Sequence, residues 1–518
     1  MNKPKNIFNF RHINFWLMIV FIVGVALRCI HFIGRSSMWF DELTSALNIR
    51  DRSFYQLATE SLDHNQVAPV GFLLLEKLAT VLFGVNDHAY RFFPFVFSLI
   101  ALPLFLNISK LFLKGIPMLC TFILFACSVT TWFYGGEAKQ YSGDITAALF
   151  LVWAALQMTK DGLRPSTLWL IAVGGFILIL SSLPAVVIAP LASVIVFIQI
   201  IKKKISLPLK HFFIIAACLA LACIFSTVYA KLVISQTVQG AMSAYWSRGF
   251  APTVNFTGYI VWIYETVRKE FSFFLTAWME YSIPFIHIVA DVLLLFSIPG
   301  IIFLVKKYSS AILILFCPLL VALLLASFKV LPFDSRVGVY ATWPFIISGI
   351  AGIYALQQWF PFLFKPFITA AVGLLIALPI ITITVVLPRE RPPFQAQASQ
   401  PVLHELKKQL QPGDILFVYF KARHALNFYG AKEGITEYKV GGNYKNIEKY
   451  LRQLDSLKGN KRVWFFFSQW TERQTFPDSI KAYLGTVIGK EIGKIPDPYG
   501  GDEDVEASAH LYDLSGNK

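Results

Sequence analysis

Apolar residues run in long blocks along the first three quarters of the chain and then stop. Blocks of the length needed to cross a hydrocarbon core, about 20 residues of helix, recur from residue 13 to residue 387. In order they predict crossings at 13–33, 92–113, 116–134, 144–159, 166–182, 184–201, 211–233, 282–304, 310–328, 337–357 and 366–387. A further block at 67–83, "VAPVGFLLLEKLATVLF", is 17 residues long and carries Glu76 and Lys77 near its middle. Each charge would cost about 2.5–3.5 kcal/mol against lipid, so this block reads as an interfacial or re-entrant helix.

After residue 387 the pattern changes. The linker "PRERPPFQAQASQP" leads into the amphipathic "VLHELKKQL", the turn "QPGD", the strand-like "ILFVYF", the helical "NIEKYLRQLDSL" and the strand-like "RVWFFFSQ". Helical and strand-like stretches alternating in this way predict a small α/β domain. The expected fold is therefore a polytopic α-helical membrane protein of about eleven transmembrane helices, residues 1–387, followed by a soluble α/β domain, residues 388–518.

Composition agrees, with 56% hydrophobic and 15% charged residues, against about 25% charged in ordinary soluble domains. A formal net charge of +15 raises nucleic acid as a partner. The excess lies elsewhere: residues 388–518 hold 19 Lys and Arg against 16 Asp and Glu, leaving 27 against 15 for the apolar part. With the N-terminus cytoplasmic, every expected cytoplasmic turn is basic: Lys110 and Lys114; Lys160 and Arg164; Lys202, Lys203, Lys204 and Lys210; Lys306 and Lys307; Lys365. That is the positive-inside bias, and it excludes nucleic acid in favour of membrane lipid. Counting 67–83 as a crossing would invert every later turn. The six cysteines all fall inside apolar runs without the paired spacing of a zinc or disulfide framework, and read as small core residues.

This threading puts residues 34–91, a loop at 234–281 and the C-terminal domain on the outer face. Polar groups collect there. Asp41 and Glu42 follow the first crossing; "HNQVAP" contains His64; Arg91 heads the second crossing; "EAKQYSGD" holds Glu137, Lys139, Tyr141 and Asp144; "DSRVGVY" holds Arg336 and Tyr340; and "AYWSRGF" offers Tyr245, Trp246 and Arg248. Ionisable groups at membrane depth are functional candidates. The plainer readings are an N-cap role for Asp41 on a helix from about 42 to 60, a Glu137 bridge to Lys139 or Arg91, and interfacial anchoring by the aromatics. Asp291, inside a predicted helix, needs a partner that the sequence does not identify, and the acidic run Gly501–Glu506 lacks the spacing of an EF-hand and reads as a solvated loop.

The "WFDE" element after the first helix, the His/Pro motif, "FG" followed by "AYRFFP", "YGGEAKQY" and "RVGVYATWP" together resemble GT-C glycosyltransferases, in particular the protein mannosyltransferase and lipid A aminoarabinose transferase group. The resemblance implies transfer of a sugar from a polyprenyl-phosphate donor to a lipid, glycan or protein acceptor on the outer, periplasmic face of the inner membrane, with inversion. It gives Asp41 the role of catalytic carboxylate, with Glu42 beside it. Arg91, Lys139 and Arg336 become candidates for the donor phosphate; His64, Tyr141, Tyr245, Trp246, Arg248 and Tyr340 for donor or acceptor binding; Glu137 and Asp144 for a divalent metal ion. The family usually carries Arg where this chain has Lys139, and Lys lacks the bidentate fork, which shifts the weight to Arg336. A transporter of lipid-linked sugars and a non-catalytic envelope assembly protein are the competing classes.

Overall fold

A computed structural model describes residues 10–34, 37–160, 162–202, 204–205, 207–252, 255–277, 286–361, 373, 397–443, 446–468, 475–498 and 507–516. The chain divides into two compact units. One holds residues 1–32 and 52–387; the other joins residues 33–51 to 388–518.

The first unit is helical. Four described helices, Ile13–Gly34, Asp87–Phe112, Leu209–Leu232 and His287–Tyr308, are long and apolar enough to cross a membrane; the pair Gly115–Cys127 and Val129–Gly136, bent by 50°, makes a fifth if counted as one span. Of the remaining expected crossings, that at 144–159 is the helix Tyr141–Met158, and the others differ. Pro165–Leu180 and Ala185–Ile201 are 16 and 17 residues long. The crossing expected at 310–328 is broken into Ser310–Leu315 and Cys317–Ser327, with Pro318 opening the second piece, where its missing N–H costs nothing. The crossing expected at 337–357 is an α-helix only over Pro344–Trp359, and that at 366–387 lies outside the described residues. The 67–83 block forms Val70–Phe83, 14 residues. At 1.5 Å per residue that is about 21 Å, short of the ~30 Å hydrocarbon thickness.

Two features tie this unit together. Arg28, fully buried in the first helix, donates to the carbonyls of Ser98 (3.0 Å), Gly24 (2.8 Å) and Ala126 (3.1 Å) and to Thr131 Oγ1 (2.9 Å). Its donors are thus spent on its own helix and three others, as a buried guanidinium requires. At the bend after Cys127, the hydroxyls of Ser128 and Thr130 donate to the carbonyls of Phe274 and Phe273. These belong to the end of a helix, Phe256–Thr276, that the sequence reading left inside the outer loop 234–281. Its apolar face is interrupted by Glu265, Arg268, Lys269 and Glu270, so hydropathy does not single it out. Arg268 supplies the partner of Asp291, donating to its two oxygens at 2.5 and 2.7 Å.

The second unit carries a five-stranded sheet: β1 (Ile415–Val418), β2 (Lys439–Val440), β3 (Val463–Phe467), β4 (Lys490–Ile495) and β5 (Ser508–Asp513), in the order β2-β1-β3-β5-β4. β1 runs parallel to β2 and β3, while β5 is antiparallel to β3 and β4. Every residue of β3, "VWFFF", is buried, as a central strand covered on both faces demands. The acidic run Gly501–Glu506 lies outside the described residues.

His510 on β5 is 3% exposed, with Nδ1 3.0 Å from Glu491 Oε1 and Nε2 3.1 Å from Ser508 Oγ. Burial pushes its pKa from 6.5 down to about 4; Glu491 resists, and Lys481 and Lys494 add to the push. The unfolded chain therefore binds more protons than the fold between those values, so stability is fully present above about pH 6.5 and falls as pH drops toward 4. At ~1.4 kcal/mol per pKa unit the loss reaches about 3 kcal/mol. The thermal midpoint of the purified protein should drop across this window, and His510→Gln should flatten the drop.

Candidate functional site

Asp41 lies in the first turn of the helix Phe40–Asp51, in the second unit. The capping expectation needs correction: the helix begins at Phe40 and ends at Asp51, so Asp41 is its second residue. The capping work falls to its neighbour. Glu42, fully buried, accepts the N–H of Trp39 at 3.2 Å, the reach-back that a third-position Glu makes in a capping box. Asp41 is half-buried, and a carboxylate in the first turn meets the positive end of the helix dipole.

In the first unit, residues of three of the remaining motifs, Arg336, Tyr141 and Trp246, meet at a strap at Asp334–Gly338. Arg336 sits in the short turn Ser335–Val337 and is 8% exposed. Its guanidinium carbon lies 5.8 Å from the ring centre of Tyr141 and 5.5 Å from that of Trp246, a cation held by two π faces. The residue before it, Ser335, has φ +49°, a left-handed conformation that an ordinary side chain adopts only when its surroundings hold it there.

Those surroundings come from Lys269 and Glu270 on the helix Phe256–Thr276. Glu270 Oε1 accepts the Ser335 N–H at 2.7 Å, Lys269 donates to Asp334 Oδ1 at 2.7 Å, and Ser335 Oγ donates to the same oxygen at 2.6 Å. Gly338 lets this packing close, since a Cβ there would lie 2.7 Å from both Glu270 Oε2 and the Phe333 ring. Tyr134 stands within electrostatic range of Glu137, Arg336, Tyr141 and Glu270, and its ring is 5.1 Å from that of Tyr141.

The "YGGEAKQY" segment reaches this place through a tight approach: a Cβ at Gly136 would fall 2.2 Å from the His31 ring. Glu137, Lys139 and Asp144 are all buried. Lys139 donates to Gln66 Oε1 at 2.7 Å, Asp144 lies beside Ser182 and in range of Tyr340, and Arg91 is fully buried at the head of its helix. His64, Tyr245 and Arg248 are exposed. The sequence reading missed Gln66, Tyr134, Lys269 and Glu270. Gln66 and Tyr134 lie in or beside quoted motifs; nothing local marks Lys269 and Glu270.

For the metal expectation at Glu137 and Asp144, no group of three or more His, Cys, Asp or Glu side chains among the described residues is placed to hold an ion.

No family model matches the sequence, and no curated protein does. Solved structures do match. ArnT from Cupriavidus metallidurans superposes in its apo state with a TM-score of 0.51 over 98% of this chain and 99% of its own, at 12% identity. Bound to undecaprenyl phosphate it superposes with a TM-score of 0.53 over 98% of this chain and 100% of its own, again at 12% identity. An oligosaccharyltransferase from Archaeoglobus fulgidus aligns over 97% of this chain and 74% of its own with a TM-score of 0.46 and 11% identity, below the level of a shared fold. End-to-end agreement with both ArnT structures shows that this chain has the fold of ArnT.

Proposed function

We propose that this protein is an integral-membrane glycosyltransferase that moves a sugar from a polyprenyl-phosphate donor to an acceptor hydroxyl on the outer face of the inner membrane. The observation that carries the reading is Arg336: a buried guanidinium, stacked on Tyr141 and Trp246 and carried on a strained strap. A planar cation fixed in this way suits a phosphate, and ArnT, which shares the fold, has been crystallised with undecaprenyl phosphate.

In this mechanism the acceptor oxygen attacks the anomeric carbon from the side opposite the phosphate. The carbon–oxygen bond to phosphate breaks, polyprenyl phosphate leaves, and the configuration inverts. Asp41 takes the acceptor's proton. Arg336, with Arg91 and Lys139, offsets the charge that builds on the leaving phosphate. Tyr141, Trp246 and Tyr340 line the donor side. The N-terminus is cytoplasmic and the C-terminal domain periplasmic.

Mass spectrometry of glycolipids and glycoproteins from cells with and without this chain would identify the product. Purified protein in detergent should then make it from polyprenyl-phosphate sugar and acceptor. Product formed without a sealed membrane rules out a transporter; none under any donor and acceptor pair identified in cells ends the enzyme reading. For the cation, Arg336→Lys keeps the charge but loses the planar stacking and should weaken undecaprenyl-phosphate binding by about tenfold, in line with ~0.5–2 kcal/mol for such contacts. A titration of purified protein with that lipid checks it.

A further inference from the structure

The helix Phe40–Asp51 belongs to the same compact unit as residues 388–518, although more than 330 residues of the chain separate them. One segment of that soluble unit, Arg423–Gly430, meets the helix at both ends. Ahead of the helix, the Met38 N–H donates to the Tyr429 hydroxyl at 2.8 Å. At its far end Arg50 donates to the Asn427 carbonyl at 2.9 Å and to Asn427 Oδ1 at 3.1 Å, with its guanidinium 6.0 Å from the Phe428 ring. The Phe40 ring packs edge-on against His424 at 5.5 Å, and the Gln400 N–H donates to Ser37 Oγ at 3.3 Å.

Two physical points give these contacts a purpose. A 12-residue helix is marginal on its own in water, so its position is set by what it packs against. The gripping segment contains a turn of π-helix, Leu426–Gly430. Such wide turns are rare and concentrate at functional sites; here the turn contains both Asn427 and Tyr429.

We infer that the C-terminal unit serves the reaction as a holder: Tyr429 and Asn427 are positioning residues that fix the helix bearing Asp41. The inference rests on Asp41 being the catalytic carboxylate. A reacting group must be held to about 0.5 Å by supporting contacts, and a flexible outer loop alone does not supply that. Tyr429 and Asn427 touch neither donor nor acceptor; they act through residues 38–51.

The test uses the full-length protein in detergent, with two readouts. The first is hydrogen exchange. Tyr429→Phe leaves the buried Met38 N–H without its acceptor, and Tyr429→Phe combined with Asn427→Ala also removes the side-chain acceptor that the 423–430 segment offers Arg50, leaving Arg50 its Asp51 carboxylate. Amides of residues 38–51 should exchange about tenfold faster in the single variant and faster still in the double, as expected for loss of a buried hydrogen bond, while those of Leu209–Leu232 stay unchanged. The second is turnover on the product identified above. kcat should fall by about tenfold or more with undecaprenyl-phosphate affinity unaltered, and Arg50→Lys should retain more turnover than Arg50→Met.

Unchanged exchange in residues 38–51 would overturn the inference. So would faster exchange with unchanged turnover, because the contacts would then hold a helix that chemistry does not need. Exchange that also rises in Leu209–Leu232 would show general unfolding and overturn it equally. A wild-type protein that makes no product sinks the glycosyltransferase reading instead, and the positioning role falls with it even where the exchange result stands.

Discussion

Gly352→Val is expected to prevent the chain from reaching its native packing. A Cβ at Gly352 would lie 1.7 Å from the carbonyl oxygen of Phe296, and one at Gly300 1.8 Å from that of Ser348. Both obstacles are backbone, so no side-chain rotation relieves them. The helices Ile286–Tyr308 and Pro344–Trp359 thus touch backbone to backbone, and the hydroxyls of Ser297 and Ser348 close a 3.0 Å hydrogen bond across the same contact. Small residues and hydroxyls at a close crossing are how helices associate where lipid removes the hydrophobic drive. Overpacking in a tight core costs about 1–3 kcal/mol and sometimes more; with rigid backbone on the far side, the upper end applies. The variant should give little monodisperse protein in detergent. Where it is recovered, its thermal midpoint should be lowered and its lipid binding impaired, because Pro344–Trp359 follows the Arg336 strap by only a few residues. Gly240→Ala, where the new Cβ meets nothing within 4 Å, should behave as wild type.

Asp41→Asn is expected to lower turnover by about 100- to 10,000-fold, the range that general-base catalysis contributes. Asparagine keeps the shape of the side chain and removes its basicity. Its structural cost is small: a first-turn carboxylate gains only ~0.3–1 kcal/mol from the helix dipole, and Asp41 is only half-buried. Expression, insertion and thermal midpoint should therefore stay near wild type. Glu42→Gln separates the two halves of the acid pair. Glu42 is fully buried on the Trp39 N–H, so its change should appear first in the exchange rates of residues 39–43 rather than in turnover. Full activity in Asp41→Asn would remove the proposed base.

Much of this organisation was open to a reader of the sequence. Long apolar runs can bury their backbone polar groups in lipid only as helix, so the spans Asp87–Phe112 and Leu209–Leu232 lie close to the blocks that predict them. The short apolar run in "ILFVYF" and in "RVWFFFSQ" is likewise a local property, and β1 and β3 fall inside those stretches. Motif residues such as Tyr141 and Arg336 were named from their types and order, and the fold brings these two within stacking range. The helix Phe256–Thr276 was not legible, because its charges break the hydropathy signal. Two of those charges, Lys269 and Glu270, hold the strap.

Local pattern, then, determined which segments are helix or strand and which polar residues stand at their ends, since periodicity and propensity act over a few residues. Only the tertiary structure decided who meets whom: Arg268 with Asp291, Lys269 with Asp334, Glu270 with Ser335, and Met38 with Tyr429, 391 residues away. A hydrogen bond or a cation–π contact depends on distance in space, and the sequence carries no direct record of that distance once two residues lie further apart than a turn or a hairpin. The assignment of the Asp41 helix to the C-terminal unit is the clearest case, because nothing in residues 33–51 announces the partner that holds them.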